Sequence, residues 1–136
     1  MQAIMPETLS WEQDGTVYRA ALGQHELGGS EVRIEMLEVP AGASLAPHSH
    51  KEQHLYLCVV RSGGAQLYLG GRLFRPLAGQ SFTCEPNDVL AVCNDTPHPL
   101  RMMVTRVGFK PDDRVPADKT WEELVSSARS QESGRH

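Results

Sequence analysis

Within the 136-residue chain, the stretch His48–His54 reads HSHKEQH and holds three of the six histidines. It lies between a turn-like PAGASLAP and an apolar run, LYLCVV. His48 and His50 are two apart, so on extended backbone both side chains point the same way. His54 continues that parity into the next segment. Imidazoles converging on one side of a β surface suit a divalent ion, because neutral imidazole is a common ligand for Zn, Cu, Fe and Ni. A fourth histidine, His98, follows another short apolar segment in CNDTPHPL and could return to the same place. The alternative is a polar loop of solvated histidines.

These residues must be positioned by strands. TVYRAAL (16–22) suits a first strand and GQHELGGS (23–30) a loop. EVRIEMLEVP alternates, with Val32, Ile34 and Met36 on one face and charged residues between them, and switches face at Leu37 and Val39, which predicts a bulge. HLYLCVV is a strand-length apolar run. AQLYLGGRLFRPL predicts a hairpin turning at Gly70-Gly71, EPNDVLAVCNDTPH a turn, short strand and turn, and PLRMMVTRVGF a last long strand. Regular short strands with Gly, Pro and Asn punctuation predict an all-β sandwich or barrel. TWEELVSSARS breaks the pattern. Thr120 and Glu123 have capping-box spacing, and Trp121, Leu124 and Val125 give a short helix an apolar face. The reading is a single domain: an N-terminal arm over 1–15, a barrel over 16–115, and a helix with a polar tail over 116–136.

Composition excludes several classes. A net charge of −4 gives no reason to expect nucleic acid or an anionic membrane as partner. Neither a long apolar run nor a basic segment leading into one marks a spanning helix or a signal peptide, so the expected location is the cytoplasm. Three cysteines, none in CxxC, fit reduced thiols.

The histidine stretch resembles the first motif of the cupins: Gly, five residues, His-x-His, three or four residues, Glu, six residues, Gly. Gly42 is followed by five residues and then His48-Ser49-His50. His54 stands where the family usually has Glu, and Arg61 in the last Gly slot, with Gly63 and Gly64 following. The second motif is Gly, five residues, Pro-x-Gly, two residues, His, three residues, Asn. Its spacing fits with Asn87 in the first slot, Cys93-Asn94-Asp95 as Pro-x-Gly, His98 as the His and Met102 as the Asn. The likeness spans residues 32 to 109.

This resemblance implies a single-domain antiparallel jelly-roll β-barrel, often a homodimer, with one divalent metal per chain held by His48, His50, His54 and His98. Four neutral ligands would leave the full metal charge to polarise an enolate or carboxylate, and two open positions on an octahedral ion. That set favours Fe(II) or Mn(II), with Ni(II) and Zn(II) behind. By parity the lining would be Ile34, Met36, Tyr56, Cys58, Val60, Leu100, Met102, Val104 and Arg106. Tyr56 is the candidate catalytic acid or substrate-positioning group, or simply an aromatic filling the barrel. Glu52 is a spare ligand or base, more plausibly a solvated charge. Cys58 and Cys93 read as small buried residues, and His25 and His136 as surface or tail residues. The leading expectation is a small-molecule oxygenase acting on an enolizable or phenolic substrate. A redox-neutral lyase, isomerase or cyclase comes second, and a non-enzymatic ligand-binding or sensor cupin third.

Overall fold

A computed structural model describes residues 8–133. Eleven strands and one helix follow in order: β1 Trp11–Asp14, β2 Val17–Leu27, β3 Ser30–Val39, β4 Ser44–His50, β5 His54–Arg61, β6 Gln66–Leu69, β7 Arg72–Phe74, β8 Ser81–Cys84, β9 Leu90–Cys93, β10 Leu100–Val107, β11 Arg114–Pro116 and α1 Trp121–Ser133. The strands form two antiparallel sheets, ordered β1-β2-β3-β10-β5-β8 and β11-β4-β9-β6-β7. This is the jelly-roll arrangement expected of the sequence.

The core lies between the sheets. Leu37 and Val39 of β3, Leu55, Leu57 and Val59 of β5, Leu67 of β6, Val92 of β9, and Leu100, Met102 and Val104 of β10 are all buried in one cluster. Removing this apolar area from water is the main stabilising term. The Gly70-Gly71 turn joins β6 to β7 as expected, with Leu69 paired to Arg72 and both glycines at positive φ, which a two-residue hairpin turn favours. The helix caps itself as its spacing predicts. Glu123 N donates to Thr120 Oγ1 and Thr120 N to Glu123 Oε1, each at 3.2 Å. Leu124 and Ala128 then pack on Tyr68 and Ala91, on the outer side of the smaller sheet.

Several local expectations are corrected. The segment read as a loop over 23–30 is strand through Leu27, and the irregularity lies in β2, between Ala21 and Gly23. From Arg33 onward β3 holds one parity: Glu35, Leu37 and Val39 are buried together, and only Val32 near its start is buried on the other side. The face carrying Ile34 and Met36 is therefore the outer one, and charged residues point into the barrel. Residues 11–14, assigned to the arm, add an edge strand.

Candidate functional site

Strand β4 delivers its two histidines as the spacing requires. His48 is 2% exposed and His50 5%. Their rings meet edge to face with centroids 5.2 Å apart. His48 Nδ1 lies 2.8 Å from the Ala46 carbonyl oxygen. A carbonyl can only accept, so the proton sits on Nδ1 and the Nε2 lone pair is left free. Neither ring nitrogen of His50 has a hydrogen-bond partner among the described residues. Burial pushes His48 down to about 3, with nearby guanidiniums adding to the effect against the Ala46 hydrogen bond. Burial pushes His50 down to about 4, helped by Arg106 and opposed by Asp113. Both imidazoles are neutral at pH 7.

Beside them lies a cavity of about 250 Å³, whose walls include Asp14, Arg19, Arg33, Glu35, Gln53, Arg106 and Arg114. Adjacent strands supply the charges: Arg33 and Glu35 from β3, Arg19 from β2, Arg106 from β10. Glu35 is the hub. It accepts from Arg106 Nε at 2.8 Å and from Arg19 Nη1 at 3.0 Å, and Arg33 Nε lies 3.4 Å away. Burial opposes its ionisation, but Arg106, Arg19 and Arg33 outweigh that and hold its carboxyl below the ordinary value. Arg33 also lies over the Phe109 ring, 5.0 Å from its centroid. At the exposed rim Lys110 is paired with Glu52.

A second carboxylate shapes the site from behind. Asp113 accepts backbone N–H groups from Glu52 and Gln53, each at 2.9 Å, and so fixes the turn between β4 and β5. Gln53 is thereby buried, with Nε2 donating to the Lys110 carbonyl and Oε1 3.5 Å from Arg106 Nη1.

The four expected metal ligands do not converge. His54 starts β5 on the outward parity, with its side chain 47% exposed and Nδ1 2.7 Å from Glu85 Oε2. The next residue, Leu55, points into the core. The family spacing of three or four residues after His50 thus meets either an outward imidazole or an inward alkyl chain. His98 sits in an exposed loop with its side chain packed against the Gly63 backbone. A Cβ added to Gly63 would lie 2.6 Å from the His98 Cβ.

The second motif's spacing also fits a different register, which keeps its first Gly and its last Asn. Gly79 is followed by five residues, then Glu85-Pro86-Asn87, two residues to Leu90 and three to Asn94. Asn87 carries a positive φ of 71°, the conformation the motif reserves for Gly. Asn94 is buried, with Nδ2 within 3.1 Å of the carbonyl oxygens of Val39, Pro40 and His98. The position the motif gives to histidine is therefore Leu90, which pairs directly with His48 across β4 and β9. Sequence inspection could have found this register from Gly79 and the Pro86-Asn87 turn. His98 satisfies the same spacing eight residues further along, which is the register that a search for histidine selects.

The donors present do not fit a divalent ion. Two imidazoles are half of a four-ligand set, Leu55 and Leu90 offer no donor, and Gln53 is engaged elsewhere. Four guanidiniums in the walls would repel a cation. Among the described residues no group of three or more His, Cys, Asp or Glu side chains could hold a metal.

Other expected lining residues are also redistributed. Tyr56 is 50% exposed on the outer face, with Val60 exposed and Cys58 half-buried beside it. Leu100, Met102 and Val104 do point inward, but into the apolar core rather than the cavity. Only Arg106 of that set lines the site. Arg19, Arg33 and Glu35 lie among charged positions that strand alternation alone points to solvent, while Gln53 sits in the turn between β4 and β5 and Arg114 on the three-residue β11, neither within a motif.

The fold is that of the cupins. A polyketide cyclase, RemF from Streptomyces resistomycificus, superimposes with a TM-score of 0.72 at 17% identity, over 93% of this chain and 91% of that one. An RmlC-like cupin from Shewanella frigidimarina gives 0.65 at 24% identity, over 80% and 92%. The cupin domain of Schizosaccharomyces pombe Cnp3 gives 0.67 at 17%, over 79% and 74%. No family model matches the chain, and no curated protein matches its sequence. Among the described residues no helix is long and apolar enough to cross a membrane.

Proposed function

We propose that this chain is a small-molecule enzyme catalysing redox-neutral proton transfer, of the lyase, isomerase or cyclase kind, without a resident metal. His50 is the proton acceptor and His48 its partner. The observation that carries this reading is the state of His50, nineteen-twentieths buried with both ring nitrogens unpartnered at a cavity wall. A buried polar group left unsatisfied costs stability on the order of 1–3 kcal/mol, and such groups persist where a ligand completes them. A neutral imidazole can accept a proton at one nitrogen while donating at the other. Asp113 favours the imidazolium so formed, against burial and Arg106, which keep His50 weakly basic. The cyclase sharing this fold supports an enzymatic use of the barrel.

The Fe(II) or Mn(II) oxygenase implied by a four-histidine set would need two ligands that here are replaced or turned outward. One experiment separates the readings. Chelator-treated protein is incubated in D₂O with neutral and carboxylated enolizable carbonyl compounds, and deuterium entry beside the carbonyl is followed by NMR. We expect wash-in that survives chelation and is lost in His50→Ala. Exchange abolished by chelator and restored by Fe(II) or Mn(II) would instead support the metal-dependent reading.

A further inference from the structure

We infer that the ligand of the His48–His50 cavity is an organic anion, bearing a carboxylate or phosphate held by Arg33 and Arg114. This deepens the proposed function by naming its substrate class, and rests on that reading only in calling the ligand a substrate.

The charge count is the first ground. Four arginines in the cavity wall face two carboxylates, Asp14 and Glu35, in a chain whose net charge is −4. Lys110 does not add to this surplus, since Glu52 already pairs with it. The surplus is therefore local and lies in a concave site, where low-dielectric walls strengthen attraction for an anion.

Incomplete pairing is the second ground. Arg106 and Arg19 are committed to Glu35 through short hydrogen bonds. Arg33 is held more loosely: its Nε makes a long ion pair with Glu35 Oε2 at 3.4 Å but is buried without a hydrogen-bond partner among the described residues. Arg114 reaches Asp14 Oδ2 only at 3.8 Å, beyond hydrogen-bond distance. Together with the His50 ring, these groups leave unused donors around one space. Guanidinium forks match carboxylate and phosphate oxygens, which can accept from two donors at once. A neutral ligand would leave the surplus uncompensated.

Size bounds the ligand. A volume of about 250 Å³ equals roughly eight waters at ~30 Å³ each. That admits a small acid or phosphoester of on the order of ten non-hydrogen atoms.

The test is calorimetric titration of the full chain at low ionic strength with inorganic phosphate, with malonate, and with glycerol as neutral control. We expect one-to-one binding of at least one anion, weakened about tenfold or more by Arg114→Gln and by Arg33→Gln. Arg72→Gln, at an exposed position of β7 outside the cavity, should leave it unchanged. Binding should weaken as salt is added. Phosphate alone, or malonate alone, would assign the class to phosphoesters or to carboxylates. Unchanged thermal unfolding of Arg114→Gln, whose only recorded ion pair is the long one to Asp14, shows that lost binding is not lost folding. Saturation by neither anion at about 10 mM overturns the inference, as does binding indifferent to both arginine substitutions. Failure of anion binding with deuterium wash-in of neutral carbonyls intact removes the anion and spares the proton-transfer reading. The reverse result removes that reading and leaves an anion-binding cupin.

Discussion

Replacing Glu35 by Gln tests whether the polar end of the barrel is held by charge. Glu35 is 3% exposed and accepts from Arg106 and Arg19, with Arg33 adjacent. Removing one partner of a buried ion pair costs about 3–5 kcal/mol, because the other charge stays desolvated and unpaired. Arg106, whose side chain is 10% exposed, bears most of that cost. Arg19 and Arg33 are better solvated, so their share is discounted, and the glutamine amide oxygen keeps one acceptor. The expected loss is therefore near ~3 kcal/mol. For a chain of this size that corresponds to a Tm lower by roughly 9–15 °C. Urea unfolding should show a lower midpoint with an unchanged m-value. Adding Arg106→Met to Glu35→Gln should restore part of the loss, since the stranded charge is then gone. A change below about 1 kcal/mol in the single variant would refute the reasoning: desolvation would already have cancelled the attraction.

Four further outcomes are expected. Asn94→Ala should cost about 2–4 kcal/mol by chemical denaturation, because the carbonyls of Val39 and Pro40 lose this donor and that of His98 is left with Thr96 Oγ1. Gly63→Ala should cost about 1–3 kcal/mol, since the new methyl meets the His98 Cβ, which sits too close to backbone to swing aside. Stability should fall as pH drops from 6.5 toward 4. The unfolded chain protonates His48 and His50 near 6.5 while the folded chain resists to about 3 and about 4, so protons favour unfolding. His50 alone contributes ~3 kcal/mol over that window, and His50→Gln should flatten the profile. Glu35 and Asp113, with folded values lowered, are stabilising above their ordinary values and add a further loss below them. His54→Ala should change stability by no more than ~0.5 kcal/mol, as expected for a solvent-exposed pair with Glu85, and should leave anion binding intact. A large loss of affinity there would mean that His54 reaches the cavity after all.

Local spacing was enough for several features set by short-range geometry. The Gly70-Gly71 hairpin, the Thr120–Glu123 cap and the joint burial of His48 and His50 follow from turn chemistry, capping reach and strand periodicity, which involve only neighbours in the chain. The all-β class followed from the regular alternation of short strands and turns, and the jelly-roll barrel from the resemblance of the histidine stretch to the cupin motif.

Which face of each strand turned inward was a tertiary matter. Alternation in EVRIEMLEV offers two faces and does not say which the barrel encloses. At one end of the barrel the inner face is polar, so Arg33 and Glu35 looked like a solvent side, while Ile34 and Met36 looked like a core. Three charges from neighbouring strands, Arg19, Glu35 and Arg106, are stable inside only because they meet one another, and that meeting is invisible until β2, β3 and β10 are placed side by side. The same holds for the histidines. His54 shares sequence parity with His50, but the turn pinned by Asp113 buries Gln53 and reverses the parity of β5 before His54 is reached. Pairing of His48 with Leu90 across the smaller sheet then put an alkyl chain where the motif calls for a fourth ligand, and a cluster of arginines, assembled from distant strands, gave the cavity its charge.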